Sequence, residues 1–406
     1  MATGKTAHAT APTAGAGRRG LLFVLAGNML IDALEVSVVL VALPAMGRDL
    51  GVPALGTQGV MSGFAAGFAA LLPFGPRLVA RWGRRRVYLA ALAVFVAASV
   101  AGGLADGAAV LIATRVVKGM CVALTAPTGL AIIGTAFRPG PEQRRAVSVY
   151  SLFGAAGFTV GLLSSGLLTE ADWRWTPVFP APFALLLLVA GFRLIPRDPA
   201  PAPGARPGGP RARPARNGPF IRAAVCAATL NGTYLGLLML LAHYVHDTWG
   251  WGPWRTALAF LPACVPLLLA LPFADRMVER AGTGRLVAAG ACAALLGFAT
   301  ALLTGEPQTY LTGVLPALVG VEAAFVLSFA ALNIQATAGV PAGQRAAAVP
   351  VYQTAVQLGP VLTLPVVAAT AATGYRTALL FLTALSAVGA LLACLPARPA
   401  GDLRTT

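Results

Sequence analysis

Five ionisable side chains lie inside otherwise apolar, membrane-length runs of this 406-residue chain: Asp32 and Glu35 in 21–45, Arg115 and Lys118 in 108–136, and Glu322 in 311–339. A charge at the centre of a bilayer costs about 2.5–3.5 kcal/mol on an insertion scale, so such residues face one another or a water-filled cavity, and they mark a transport pathway. Asn28, Asp32 and Glu35 recur at i, i+4, i+7 and make one polar stripe along a helix; Arg115 and Lys118, at i, i+3, make a second. With the first run rising outward and the fourth descending, Glu35 and Lys118 fall at similar depth and are candidate partners. Two readings of that pair stay open: an ion pair that locks helices together, or a titrating group that alternately binds a proton and a substrate.

The chain uses only two lysines, Lys5 and Lys118, against 28 arginines. A lysine inside the membrane is a compact point charge whose protonation responds to its surroundings, which guanidinium does not offer. Glu322 shares a helix face with Val326, Phe329 and Asn333. It either reaches a cavity as a proton or cation site or pairs with a donor elsewhere, and Phe325 and Phe329 read as packing. Asn231, Tyr234, Asn333, Gln353 and Gln357 supply further hydrogen-bonding groups within the apolar runs.

The elements that must position these groups follow from composition. At 57% hydrophobic, 11% charged and a mean hydropathy of +0.76, the chain lies outside the range of soluble domains and reads as an all-α integral membrane protein. Twelve apolar runs reach membrane-spanning length: 21–45, 55–78, 86–105, 108–136, 146–168, 176–195, 219–245, 255–274, 285–304, 311–339, 346–371 and 375–396. The net charge of +16 tracks topology rather than nucleic acid. Twenty-four of the 30 basic residues fall in loops and ends on the side of the termini, whereas the opposite loops hold Arg48, Arg174, Arg255 and Arg376 beside six acids, so both termini are expected in the cytoplasm. The first run is too long, and too charged, for a cleaved signal peptide. Cys121, Cys226, Cys264, Cys292 and Cys394 are spaced too widely for a metal or redox motif and read as packing residues; His8, His243 and His246 form no ligand set.

Residues 1–20 and 397–406 are small, polar tails, and 196–218 is a Pro- and Arg-rich stretch with no apolar face. That stretch divides two six-helix halves, 21–195 and 219–396. The halves are weakly similar: AVSVYSLFGAAG at 146–157 and AVPVYQTAVQLG at 348–359 share Ala-Val-x-Val-Tyr and a later Gly at an offset of 202. Gly4-Lys5-Thr6 mimics the end of a phosphate loop but lacks its upstream glycine and strand. With no nucleophile elbow, metal cluster or sizeable soluble domain, the sequence does not read as an enzyme.

GPRLVARWGRRRVY at 75–88 resembles the cytoplasmic signature of the major facilitator superfamily, Gly-x-x-x-Asp-Arg-x-Gly-Arg-Arg, through Arg81, Gly83, Arg84 and Arg85. It departs at Ala80, where the family has Asp, and at Pro76, where the family has its first Gly. Glu279-Arg280-Ala281-Gly282 occupies the corresponding turn of the second half. Three more stretches resemble the drug:proton antiporter branch. IDALEVSVVLVALP at 31–44 is similar to its first-helix motif. TRVVKGM at 114–120 resembles the fourth-helix motif through Arg115 and Gly119, with Lys118 where Gln is usual. GFTVGLLSSG at 157–166 resembles the fifth-helix motif through Gly157, Gly161 and Gly166, with Leu162 for Pro and Ser165 for Gly. WRWTPVFPAP at 173–182 and HYVHDTWGWGPWRTALAFLP at 243–262 are similar to that branch as well.

The resemblance implies twelve transmembrane helices in two six-helix pseudo-repeats, the major facilitator fold, with helices one, four, seven and ten around a central cavity. It also implies proton/substrate antiport that exports an amphipathic small molecule from the cytoplasm across the plasma membrane, by a monomer needing no cofactor beyond a proton gradient. A proton-coupled importer of a nutrient, or a transport-inactive sensor or scaffold, stays as the alternative.

Overall fold

The structure is a computed structural model that describes residues 15–138, 140–196, 218–270, 273–338, 340 and 342–394, without the side chains of 15, 16, 263, 265–270, 274, 275, 337 and 342–347. Residues 1–14, 197–217 of the linker and 395–406 lie outside the described residues, whereas 15–20, read from the sequence as part of a polar tail, already belong to the first helix. Every described element is a helix. In chain order the long ones are α1 (Gly15–Ser37), α2 (Ala54–Leu71), α3 (Arg84–Gly103), α4 (Ala108–Ala136), α5 (Pro141–Ala171), α6 (Pro180–Leu194), α7 (Gly218–Trp249), α8 (Pro253–Ala270), α9 (Thr283–Thr304), α10 (Leu315–Ala338), α11 (Ala342–Ala371) and α12 (Tyr375–Cys394). Eleven helical segments among the described residues are long and apolar enough to cross a membrane. The remaining long helix, α8, covers residues 255–270 of the eighth predicted run.

Helix α1 corrects the sequence reading, because the first run does not continue as one helix to residue 45. It stops at Ser37, and a short helix, Leu43–Asp49, follows. Pro44 has no N–H to return to Leu40, and the intervening chain tightens to i→i+3 bonds, Leu40 N to Ser37 O and Ala42 N to Val39 O. Ser37 Oγ donates to Phe158 O of α5 at 2.7 Å, so the break is anchored sideways. Apolarity persists through it, since Val38 to Leu43 are all buried, and this is why hydropathy alone hid it.

The two halves repeat one another. The last span of each has 20 residues, Trp175–Leu194 and Tyr375–Cys394. In each half an eight-residue helix, Gly75–Trp82 or Ala274–Ala281, ends on a glycine in the left-handed region, Gly83 (φ 83, ψ 152) or Gly282 (φ 74, ψ 151). These matched turns need a residue without a Cβ.

Within the halves α1 packs on α5, α2 on α4, α7 on α11 and α9 on α10; between them α2 meets α11 and α5 meets α8. Small residues set the closest crossings. A Cβ on Gly67 would run into Val116 O, and one on Gly119 into Phe64 O, so α2 and α4 approach through reciprocal glycines. The cores are unevenly shared. One buried cluster joins both halves on the side away from the termini, from Leu34 to Met46 across to Leu235 to Val245 and Leu364 to Ala368. On the terminal side each half keeps its own cluster, around Tyr88, Ile133 and Tyr150 in one and around Phe220, Leu332 and Tyr352 in the other. The halves are therefore sealed together on the side opposite the termini.

Candidate functional site

Arg115 and Lys118 point from α4 to one acid on α1. Arg115 Nη1 pairs with Glu35 Oε2, and its Nη2 donates to Glu35 O at 2.7 Å. Arg115 Nε donates to Val60 O of α2 at 3.1 Å. Lys118 Nζ lies 2.6 Å from Glu35 Oε1 and donates to Pro177 O at 3.1 Å. Each cation also lies over a ring, Arg115 at 4.7 Å from the Phe64 centroid and Lys118 at 4.9 Å from that of Phe95. Glu35 and Lys118 are 0% exposed and Arg115 1%. A buried ion cluster is tolerable only when further hydrogen bonds support it, and carbonyls from two other segments, Val60 O and Pro177 O, each accept from one of its cations.

Asp32, on the same stripe of α1, is not part of that cluster. Asn28 Nδ2 donates to its Oδ2 at 2.8 Å, and Thr125 Oγ1 donates to the same oxygen at 3.2 Å. Asp32 is 5% exposed and makes no ion pair among the described residues. Tyr88 of α3, Tyr150 of α5 and Cys121 of α4 lie within its electrostatic reach. Thr125 escaped the sequence reading although its position, seven residues beyond Lys118, puts it on the stripe already drawn.

Glu322 stands in the other half, 1% exposed, beside the phenol of Tyr234 on α7. Tyr234 belongs to a row of rings that crosses from one half to the other. Its centroid lies 6.1 Å from Phe158 of α5 and 4.9 Å from Phe325, which stacks on Phe329 at 4.8 Å. Phe158 was missed because nothing in a single apolar run distinguishes it from packing. The other polar candidates tie helices together. Gln353 Nε2 donates to Asn333 Oδ1 at 3.2 Å, Asn333 Nδ2 to Phe329 O at 2.8 Å, and Asn231 Nδ2 to Val356 O at 3.2 Å. Gln357 is half-buried on the same helix as Gln353.

On the terminal face Arg81 is exposed, Arg84 is half-buried, and the Arg85 guanidinium donates to Phe192 O of α6. Ala80, exposed, adds no acid there. In the fifth helix Gly157 and Gly161 lie against Leu30 O and Leu34 O of α1, while a Cβ on Gly166 would stand 2.6 Å from that of Ala257 on α8. The first two glycines serve one half and the third serves the seam between halves. Of the cysteines, Cys121, Cys226 and Cys264 are buried, but Cys292 and Cys394 are exposed rather than packed.

At the opposite rim Asp49 accepts from Trp173 Nε1 at 3.0 Å and pairs with Arg174 Nη1 at 2.8 Å. The indole hydrogen bond, then Arg174, hold its carboxyl below the usual carboxylate range.

This architecture has close counterparts. The nucleoside transporter NupG superposes with a TM-score of 0.75 at 12% identity, over 93% of this chain and 98% of that one. The human organic anion transporter MFSD10 gives 0.66 at 18% identity, over 92% and 99%. In sequence the chain is 30% identical to the puromycin resistance protein pur8 of Streptomyces alboniger, over 84% of this chain and 79% of that protein. It is 28% identical to the lincomycin resistance protein of Streptomyces lincolnensis, over 73% of each. Against the cephamycin export protein CmcT of Amycolatopsis lactamdurans it is 32% identical over 66% of this chain and half of the other. The family model for the Major Facilitator Superfamily matches residues 25–364, from within α1 into α11. Paired six-helix repeats, buried charges at their centre and this match along the chain have one explanation: the protein is a multi-pass transporter belonging to the major facilitator superfamily.

Proposed function

We propose that the chain exports amphipathic small molecules, of the antibiotic or secondary-metabolite kind, by proton/substrate antiport with alternating access. The observation that carries this reading is the uneven division of counter-charge. Glu35 has two cations, whereas Asp32 and Glu322, one in each half, form no ion pair among the described residues and are hydrogen-bonded or approached by neutral groups. A buried carboxyl without a cation is kept by a proton, and a proton is a counter-charge that can be taken up on one side of a membrane and released on the other. Asp32 is thus the coupling acid, and Arg115, Lys118 and Glu35 form the scaffold that fixes α1 against α4. Glu322 meets the substrate beside Tyr234, Phe325 and Phe329, whose faces suit a flat apolar body.

In this cycle a proton arriving from the side away from the termini neutralises an acid and weakens its hold on substrate, and the halves rock. Loss of the proton on the terminal side restores affinity. The basic loops support a cytoplasmic side for both termini in the plasma membrane, and the shared core on the far side supports an inward-facing state. The names of the puromycin, lincomycin and cephamycin relatives support export over import.

The test is substrate-induced dissipation of an imposed pH gradient in proteoliposomes, with puromycin as the first probe, for wild type, Asp32→Asn, Glu322→Gln and Glu35→Gln. Dissipation that persists in Asp32→Asn would remove the coupling role from that residue. Puromycin moved in the import direction by the gradient would favour an importer.

A further inference from the structure

Four helices converge on Asp32. Asn28 comes from its own helix, Thr125 and Cys121 from α4, Tyr88 from α3 and Tyr150 from α5. The charged neighbours are Glu35, three residues along α1, with its partners Arg115 and Lys118. Most polar atoms in this nest are committed. Asn28 Nδ2 and the Thr125 hydroxyl serve Asp32, and the Tyr150 hydroxyl donates to Ala126 O at 3.1 Å. Two are not. Asn28 Oδ1 and the Tyr88 hydroxyl are buried and find no hydrogen-bond partner among the described residues, although Tyr88 is 0% exposed and Asn28 1%.

The two atoms are chemically complementary, since an amide oxygen only accepts and a phenol can donate. Buried polar atoms left by the protein in this way are where internal water binds, and a water that donates to Asn28 Oδ1 and shares a hydrogen bond with the Tyr88 hydroxyl, as its donor or its acceptor, gives both a partner. Tyr88 lies four residues into α3 from Arg84, about 6 Å along its axis from the terminal-side end of that helix. Tyr88 therefore enters the site from the terminal-side end of α3.

We infer that Asn28 and Tyr88 hold a buried water beside Asp32 and with it form the route by which the Asp32 proton passes to the terminal side. The balance is that of a relay. Asp32 gives its proton to the bridging water, that water donates one of its own to the Tyr88 oxygen, and the phenol, its O–H turned away from the bridging water, hands its original proton to a solvent water admitted on the terminal side; solvent gains one proton, Asp32 is left as carboxylate, and bridging water and phenol are unchanged. The inference rests on the proposed coupling role of Asp32, but its test does not use transport.

Purified protein in lipid is followed by infrared spectroscopy after transfer from H2O to D2O. The carbonyl band of the protonated Asp32 carboxyl is identified as the one that Asp32→Asn removes, and its shift reports the rate at which that proton exchanges. Tyr88→Phe deletes the hydroxyl and keeps the ring. It should slow the exchange by a factor of about ten, the scale of one hydrogen bond in a barrier, and Asn28→Ala should slow it as well. Exchange at the wild-type rate in both variants, or no band assignable to Asp32 at any pH, overturns the route. Should exchange slow while Asp32→Asn still couples proton flux to puromycin, the route stands and the coupling role falls.

Discussion

Lys118 Nζ stands 2.6 Å from Glu35 Oε1 while Arg115 holds the other carboxylate oxygen, so a single acid on α1 serves both cations of α4. Removing that acid strands two buried charges. Glu35→Gln should destabilise the protein by about 3–5 kcal/mol, the cost of breaking a buried pair from one side. Lys118→Gln leaves Arg115 and Glu35 matched one to one and should cost well under that. Thermal unfolding in lipid-supplemented detergent reads both, and adding Lys118→Gln to Glu35→Gln should restore part of the loss. A Glu35→Gln protein as stable as wild type would show that the cluster holds nothing together.

Asp32 and Glu35 are predicted to separate by phenotype. An Asn at position 32 keeps an oxygen that accepts from Asn28 Nδ2 and from Thr125, so Asp32→Asn should unfold near the wild-type temperature. It should nonetheless lose substrate-driven proton flux, because an amide carries no proton to exchange. The informative comparison is the melting curve beside the flux assay on the same preparations. A destabilised Asp32→Asn would return Asp32 to a structural role.

Much of this arrangement was legible in the sequence, and the reasons are specific. Helix α4 follows the run 108–136 residue for residue, because Asp106-Gly107 precedes and Arg138-Pro139-Gly140 follows an otherwise apolar segment in which Arg115 and Lys118 are the only charges. The Glu35–Lys118 contact followed from counting depth along two antiparallel helices at a fixed rise. The parting of Asp32 from Glu35 did not follow. Three residues turn a helix by about 300°, enough for neighbours on one stripe to meet different stretches of α4, and only the crossing of α1 and α4 decides which. The break after Ser37 was hidden for a different reason. It is a matter of one proline and one sideways hydroxyl within a segment that stays buried. Tyr88 gave no signal because a tyrosine one turn inside a basic helix end looks like an interfacial anchor.

The rim contact of Asp49 should be resistant to acid. Its carboxyl is held low by the Trp173 indole and by Arg174, so the contact is fully formed above the ordinary carboxylate value and is lost only as pH falls through the lowered one. A fluorine label on tryptophan, assigned at Trp173 by Trp173→Phe, should show no change through the ordinary carboxylate range and a transition below it. Asp49→Asn should abolish that transition, and a midpoint within the ordinary range would contradict the geometry.

The fifth-helix glycines should be unequal to other helix glycines. At Gly161 an added Cβ would lie 2.6 Å from Leu34 O and 3.0 Å from its Cα, so Gly161→Ala must push α5 off α1 and should cost about 1–3 kcal/mol. At Gly284, on α9, a Cβ meets nothing within 4 Å. Gly284→Ala should be neutral or gain up to about 1 kcal/mol from helix propensity. Thermal melts of the two variants test the difference, and equal shifts would mean that the α1–α5 crossing yields to a methyl group.

Gly166 is predicted to control which side of the membrane the halves open to. It faces Ala257 on α8, with Pro253 O at 3.1 Å, and one turn further along the seam Glu170 Oε1 accepts from Trp254 N at 3.1 Å. That bond puts a carboxylate at the start of α8, where the helix dipole favours it. Since the shared core lies on this side and separate cores on the other, a side chain at 166 has no room unless the seam parts. Cys264, buried in that core, is a native reporter, whereas Cys292 and Cys394 are exposed and must be replaced first. Gly166→Val should speed the labelling of Cys264 by an impermeant maleimide added from the side away from the termini, and Glu170→Gln should do so more weakly. Labelling that accelerates only from the terminal side would reverse the assignment of which end of the seam is the closed gate.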